Sequence, residues 1–116
     1  MKVDKAKNVP AGLPKEQDAK GVTMRVLLSE KDGAPNFIMR VFEIEPGGYT
    51  PFHAHPWEHE VYVLKGEGIV REKGTDHTFK KGYFALVAAG EEHQFVNTGD
   101  EPFRFICVIP IVRPRE

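Results

Sequence analysis

The stretch GGYTPFHAHPWEHEVYVLKG, residues 47–66, decides how this chain of 116 residues folds. It holds three of the five histidines, His53, His55 and His59, all at odd positions. In an extended chain, residues of one parity project to the same side, so a strand and its turn can direct three imidazoles at one point. Neutral imidazole is a common metal ligand. The spacing therefore predicts a metal site, which His93 could complete from a neighbouring strand.

A solvated surface cluster is the alternative interpretation of these three histidines. Imidazoles this close repel one another once they are charged, below a pKa of about 6.5, unless water surrounds them. His77 stands alone in the polar segment 73–78. We therefore assign His77 to the surface and leave it out of the predicted site.

Short runs rich in β-branched and aromatic residues fill the rest of the chain, and no segment has a sustained helical period. Gly, Pro, Asn or Asp clusters separate most of them, which favours an all-β sandwich or barrel. The eight predicted strands are residues 23–28, 37–45, 60–65, 68–72, 75–79, 83–87, 93–97 and 103–109. Residues 1–21 are polar and rich in Pro and Gly, and we expect an irregular N-terminal arm followed by one barrel domain over residues 22–116.

Alternation within two of these runs assigns their faces. In residues 37–45 the odd positions end in two glutamates that favour water, so the even positions, with Arg40 and Phe42, point inward. In residues 103–109 the odd positions, with Phe105 and Cys107, point inward. These four side chains are the predicted lining of a substrate cavity. Arg40 is either an anion clamp or a guanidinium that reaches water at the barrel mouth, and Cys107 is more often a buried filler.

Composition excludes several classes of function. Hydrophobic residues make up 41% of the chain, charged residues 28%, and the net charge is −1, which argues against a nucleic-acid partner. The longest apolar runs are too short to span a bilayer, and no apolar core follows the N-terminal lysines as in a signal peptide. The single cysteine rules out an internal disulfide. We expect a cytoplasmic protein, and a homodimer because Ile106 and Val108 make the outer face of their strand apolar.

Two spaced motifs resemble those of the cupin superfamily. The first reads Gly47, five residues, His53-Ala54-His55, three residues, His59, six residues, Gly66, with His59 at the position where most cupins have a glutamate. The second reads Gly82, five residues, Ala88-Ala89-Gly90, two residues, His93, three residues, Asn97, with alanine in place of the usual proline. Glu60 fits the glutamate position less well, because only five residues separate it from Gly66. The resemblance implies a double-stranded β-helix, or jelly-roll barrel.

The runs APNFIMRVF (residues 34–42), EPGG (45–48) and HAHPWEHEVYVLKG (53–66) are similar to those of small four-histidine manganese cupins of thermophilic bacteria. That resemblance implies a dimer with one manganese ion, whereas ligand softness alone favours zinc, copper, iron or nickel. Four neutral ligands leave the 2+ charge uncompensated, so we expect an anionic or oxygen-chelating small-molecule ligand. An octahedral ion would keep two open positions, whereas a tetrahedral ion would make the site closed and structural. The hypotheses are a metal-dependent oxidase or dioxygenase of a small organic substrate or, alternatively, a non-catalytic binding module; isomerisation ranks last because no base is evident.

Overall fold

Eight β-strands make up most of the protein. The computed structural model describes residues 1–14 and 17–112. The strands are β1 (Lys20–Leu28), β2 (Phe37–Tyr49), β3 (His59–Lys65), β4 (Glu67–Glu72), β5 (Thr75–Lys80), β6 (Phe84–Val87), β7 (His93–Asn97) and β8 (Phe103–Pro110). All eight predicted strands are confirmed, and the main difference is that β2 continues to Tyr49 through its Pro-Gly-Gly segment. Two single-turn 3-10 helices, Ala6–Asn8 and Glu30–Asp32, precede and follow β1.

The strands form a jelly roll, as the sequence predicts. Hydrogen-bonded neighbours follow the order β5-β4-β7-β2-β8-β3-β6, and β1 pairs with the other edge of β2. The end of β2 bends across to β7, where Tyr49 is opposite Val96. Because one long strand belongs to both halves of the sheet, the sheet curls around a single interior. No helix in the described residues is long and apolar enough to cross a membrane.

The interior is filled by the side chains that alternation assigns to it. Phe103, Phe105 and Cys107 of β8 are at most 2% exposed, and Ile44 of β2 is fully buried. Val41 differs from the prediction, because it lies on the outward face of β2 and is nevertheless only 6% exposed. Its register neighbours are Arg25 on β1 and Ile106 on β8, so Val41 has a paired strand on either side.

The N-terminal residues lie along β1. Gly12 and Met24 exchange two backbone hydrogen bonds of 2.8 Å, and the Nε of Arg25 donates to the carbonyl of Val9 at 2.9 Å. Strand β1 begins at Lys20, so the last residues of the predicted arm are already paired with the sheet. The division into an arm and a barrel at residue 21 stays a prediction, and residues 113–116 of the predicted barrel domain lie outside the described residues.

Candidate metal centre

The segment between β2 and β3 carries His53 and His55, and it is a loop rather than the strand and turn that the sequence suggests. His53 makes a single β-bridge with His93, through backbone hydrogen bonds of 3.1 and 2.9 Å. Of the three histidines in residues 53–59, only His59 stands on a strand, as the first residue of β3. The sequence suggested that one strand and its turn direct all three imidazoles to the same side, whereas a loop positions His53 and His55. The two prolines of this segment, Pro51 and Pro56, have no N–H to donate and so cannot continue the hydrogen-bond ladder of a strand.

Backbone contacts bring the loop to the mouth of the barrel. The N–H of Gly90 donates to the carbonyl of His55 at 2.7 Å. Gly90 has a φ of +80°, a conformation that glycine adopts without strain, so the second motif supplies a turn that anchors the first. At the start of the loop, Thr50 and Phe95 exchange backbone and hydroxyl hydrogen bonds of 2.9 Å.

The four histidine rings surround one region of the interior. The centroid of the His55 ring lies 4.3 Å from that of His53, 5.2 Å from that of His59 and 6.1 Å from that of His93. The His93 centroid is 5.2 Å from that of His53 and 5.0 Å from that of His59. Imidazoles that bind one ion at 2.0–2.1 Å have centroids separated by about 4.5 to 6.4 Å. The separations that involve His59 or His93 lie within this range, and the 4.3 Å between His53 and His55 is slightly shorter. Within residues 1–14 and 17–112, no group of three or more His, Cys, Asp or Glu side chains already has the geometry of a metal site.

Two of the rings have nitrogen atoms suited to a metal. The Nδ1 of His93 is 2.9 Å from the carbonyl oxygen of Glu91. A carbonyl only accepts hydrogen bonds, so this contact places the proton on Nδ1 and leaves the Nε2 lone pair available. His59 is only 5% exposed, and its buried Nδ1 has no hydrogen-bond partner. An unpartnered buried nitrogen is unfavourable, and a metal ion is one of the groups that satisfies it. The donor set therefore suits the implied ion in its chemistry, whereas the described side chains would have to adjust their positions to coordinate it.

Burial also controls the charge of His59. The pKa of this imidazole is lowered from 6.5 to about 3, first by desolvation and then by the nearby His93, His55, Arg40 and His53, in that order. His59 is therefore neutral at physiological pH. A neutral imidazole is the form that binds a metal.

The histidines line a small cavity that opens to solvent. All four histidines line it, and so do the four predicted cavity residues, Arg40, Phe42, Phe105 and Cys107. The Phe42 and Phe105 rings stack with centroids 5.4 Å apart. No Asp or Glu is among the described residues that line this cavity. The wall thus combines nitrogen donors, a guanidinium, a thiol and aromatic faces, without a carboxylate.

Other residues have positions that the sequence left open. Trp57 packs edge-on against His55, with centroids 4.7 Å apart. His77 is exposed on β5, with its Nε2 atom 3.2 Å from the Oε2 atom of Glu72. This position agrees with its assignment to the surface. Glu60 is exposed on the outer face of β3. Thr50 and Phe95 also line the cavity and were not predicted to do so. Phe95 is two residues after His93 on the same strand, so alternation could have assigned it to the same inward face.

A family model for the cupin domain matches residues 40–109, which is more than half of the chain. The chain belongs to the cupin family. This cupin is 32% identical over 114 residues to an oxalate-binding protein of Thermotoga maritima, an alignment that spans 94% of this chain and 93% of the relative.

Two solved structures are similar to this cupin over nearly its whole length. The polyketide cyclase RemF from Streptomyces resistomycificus has 37% sequence identity and a TM-score of 0.92, over 99% of this chain and 82% of the other. A predicted oxalate decarboxylase from Thermotoga maritima has 29% identity and a TM-score of 0.83, over 96% of this chain and all of the other. The similar cupins thus have different names, so the family fixes the fold and not the reaction.

One departure from the cupin motif has a local explanation. Ala88 stands where the second motif usually has proline, and its backbone N–H donates to the Glu91 carboxylate at 3.2 Å. Proline has no N–H and could not make this bond. The turn is therefore held by a side-chain hydrogen bond next to the carbonyl of Glu91 that accepts from His93, and the substitution leaves the histidine in place.

The low pKa of His59 predicts how the metal-free protein responds to acid. In the unfolded chain this imidazole gains a proton near pH 6.5, whereas in the folded chain it stays neutral down to about pH 3. Its contribution to stability is therefore complete above pH 6.5 and is lost as the pH falls from 6.5 towards 3, by at most about 1.4 kcal/mol per pH unit. Urea unfolding of chelated protein between pH 8 and 4 should show a smaller pH dependence in the His59→Gln variant. Equal pH dependence in the two proteins would contradict the prediction.

Proposed function

We propose that this cupin binds one divalent metal ion through His53, His55, His59 and His93 and oxidises a small organic substrate held beside the ion. The observation that supports this proposal is the convergence of four imidazoles on one wall of the cavity, with centroids 4.3 to 6.1 Å apart. His59 adds a second observation, because its buried Nδ1 has no hydrogen-bond partner and a metal ion is one of the groups that would satisfy such a nitrogen.

Manganese is the ion that we propose, on the basis of the resemblance to four-histidine manganese cupins. Zinc, iron, nickel and copper also accept imidazole ligands, and we expect them to substitute in vitro. When bound, a divalent ion supplies Lewis acidity and, for manganese or iron, a change of oxidation state. Because no carboxylate is available from the described cavity wall, the charge of the ion would be compensated by an anionic or oxygen-chelating ligand.

The protein residues would bind and orient the substrate. The stacked rings of Phe42 and Phe105 offer an apolar surface against which a small organic body can lie and from which water is excluded. Proton abstraction needs a positioned base. The described lining residues include no Asp or Glu, and burial raises the pKa of the Cys107 thiol. The absence of a lining carboxylate favours oxidation over an isomerisation that depends on a base.

Ligand binding without turnover is the second candidate function. The similarity to an oxalate-binding protein over 94% of the chain favours it. In that case the ion and the cavity would retain a small oxyanion such as oxalate without reaction. The similarity to a polyketide cyclase suggests a further reaction of the same centre, ring closure of an oxygen-rich substrate without net oxidation.

The experiment that tests the proposal is metal analysis combined with oxygen uptake. Protein loaded with Mn²⁺ or Fe²⁺ is mixed with acetylacetone, a small oxygen chelator, and both oxygen and acetylacetone are followed. Oxygen uptake that depends on the metal, with matching loss of acetylacetone, supports the oxidase. Loss of acetylacetone without oxygen uptake favours the reaction without net oxidation, and tight binding without loss favours the binding module. Purified protein that takes up none of these metals contradicts all three.

A homodimer is also part of the proposal. The outer face of β3, β6 and β8 exposes large apolar side chains, including Phe84, which is 80% exposed, Leu86, which is 63% exposed, and Tyr62, which is 49% exposed. Ile106 and Val108 are register neighbours of β3 on this same face. An apolar patch of this extent is typical of a surface that associates. A second copy covering the patch would explain why these side chains are apolar.

Placing a charge on this face should separate the subunits. We expect Leu86→Glu to convert a dimer into a monomer, because a buried carboxylate without a partner costs several kcal/mol. Light scattering coupled to size-exclusion chromatography measures the mass. Leu13→Glu, at a position in the N-terminal segment that is 81% exposed, is the matched control and should leave the mass unchanged. A wild-type protein that is monomeric at all concentrations would refute the dimer.

A further inference from the structure

Arg40 projects from β2 into the cavity that the four histidines line. Its described hydrogen-bond partners are both sulfur atoms. Nη2 donates to the Sγ of Cys107 at 3.1 Å, and Nη1 lies 4.0 Å from the Sδ of Met24. The buried Nε has no partner, and the guanidinium carbon sits 4.9 Å from the centroid of the Phe42 ring.

These contacts satisfy the guanidinium poorly. It has five N–H donors in a planar fork, and sulfur is a weak acceptor. A thiol with the pKa of Cys107 raised by burial is uncharged at neutral pH, so it does not compensate the positive charge either. Leaving a charged donor buried and unpaired is unfavourable by more than a typical hydrogen bond. A guanidinium in a cavity, with N–H donors that lack strong acceptors, is the arrangement expected of an unoccupied binding site for a planar anion.

No described carboxylate supplies that anion. The lining residues of the cavity include neither Asp nor Glu. Glu43, three residues along the same strand, binds Arg104 on the opposite face through two hydrogen bonds of 2.9 and 2.7 Å to one oxygen. The two arginines therefore differ in kind, since Arg104 has an internal carboxylate partner and Arg40 has neutral sulfur and an aromatic ring.

We propose that Arg40 binds the carboxylate group of a small organic acid, through its guanidinium fork, while the rest of the ligand lies among Phe42, Phe105 and the histidines. This proposal rests on the proposed function in that it names the class of ligand for the same cavity. It adds that the anion is held by the protein side chain as well as by any ion. Carboxylate matches the planar fork, and the rings of Phe42 and Phe105 accommodate the apolar part of such an acid.

The test is titration calorimetry with oxalate and with oxamide, its uncharged isostere, on chelated and on manganese-loaded protein. The variants are Arg40→Gln, Arg40→Lys and, as a matched control, Arg71→Gln, which removes an exposed arginine paired with Asp76. We expect Arg40→Gln to weaken oxalate binding about 10- to 100-fold in both forms, as the loss of a charge-assisted pair requires. The oxalate affinity of Arg40→Lys should lie between those of the wild type and Arg40→Gln, and Arg71→Gln should bind oxalate like the wild type.

Equal oxalate affinity in Arg40→Gln and wild type would overturn the proposal, and so would oxamide binding as tight as oxalate binding or an absence of oxalate binding to the wild type. Metal content is measured on the same samples. Wild-type protein that takes up manganese but shows no role for Arg40 refutes only this inference. Wild-type protein that takes up no metal refutes the proposed function, while the chelated titrations still test Arg40.

A second measurement serves if Arg40→Gln does not fold. In ¹⁵N-labelled wild-type protein, the Nε–H resonance of Arg40 is assigned by its loss in Arg40→Lys. Oxalate should shift this resonance far more than oxamide at the same concentration, because a charged carboxylate accepts from the guanidinium more strongly than an uncharged amide carbonyl does. An Nε–H signal that does not move at saturating oxalate contradicts the proposal.

Discussion

Replacing His55 and His59 together with alanine should abolish metal binding. The double variant would keep two of the four imidazoles, and these two stand on the bridge between the loop and β7. Two neutral nitrogen ligands do not hold a divalent ion against water and buffer. We expect metal content to fall from about one ion per chain to less than a tenth of that, measured by plasma emission spectrometry after gel filtration. Any oxygen uptake with acetylacetone should fall to the level of the metal-free protein.

His77 provides the matched control for this experiment. It is the one histidine outside the cluster, and it is exposed on β5 beside Glu72. The His77→Ala variant should bind metal like the wild type, because its ring contributes nothing to the cavity. Circular dichroism of the chelated double variant should match that of chelated wild type, which separates loss of ligands from loss of fold. Stoichiometric metal in the folded double variant would refute the site.

Metal binding should also stabilise the fold. An ion that binds the folded chain and not the unfolded chain raises the free energy of unfolding in proportion to the logarithm of its concentration over its Kd. The melting temperature of the wild type should therefore rise with added manganese and return on chelation. The double variant should show no such shift, which links the metal content to the four histidines by a measurement independent of activity.

The sequence predicted the strands and their faces because the signal for both is local. Alternating side chains in β2 and β8 must separate water from the core, and Glu43 and Arg104 mark the outer side on neighbouring strands. Sequence periodicity contains this information directly. Val41 escaped the prediction because its burial depends on β1 and β8 lying on either side of it, a relation between segments that are distant along the chain.

The sequence predicts which histidines come together, but not the backbone contacts that position them. The motif spacings place four histidines together, but the loop that positions His53 and His55 is held by β7 and by Gly90, far along the chain. The hydrogen-bond partners of Arg40 could not be predicted from the sequence either. Alternation directs its side chain inward, whereas the sulfur contacts and the unpaired Nε depend on where Met24 and Cys107 meet in space.

Phe103→Ala should cause the largest loss of stability of any single substitution considered. The Phe103 ring is fully buried, 5.3 Å from the centroid of Phe105 and 6.3 Å from that of Phe79. Gly68 lies directly against it, since a Cβ at that glycine would come within 2.8 Å of the ring. Removing the ring leaves a cavity between rigid strands that cannot close over it. We expect a loss of about 3–5 kcal/mol in the free energy of unfolding, measured by urea titration of the chelated protein.

Phe37→Ala makes the same change at a position that is 63% exposed and should cost less than about 0.5 kcal/mol. A small domain has a total stability of about 5–15 kcal/mol, so Phe103→Ala could leave the chelated protein partly unfolded at 25 °C. Manganese should then restore the fold, because the ring lies in the core while the ligands lie at the barrel mouth and in the loop. A loss below about 1 kcal/mol would mean that neighbouring rings such as Phe79 and Phe105 collapse into the space, and that the interior is less rigid than close packing of aromatic side chains implies.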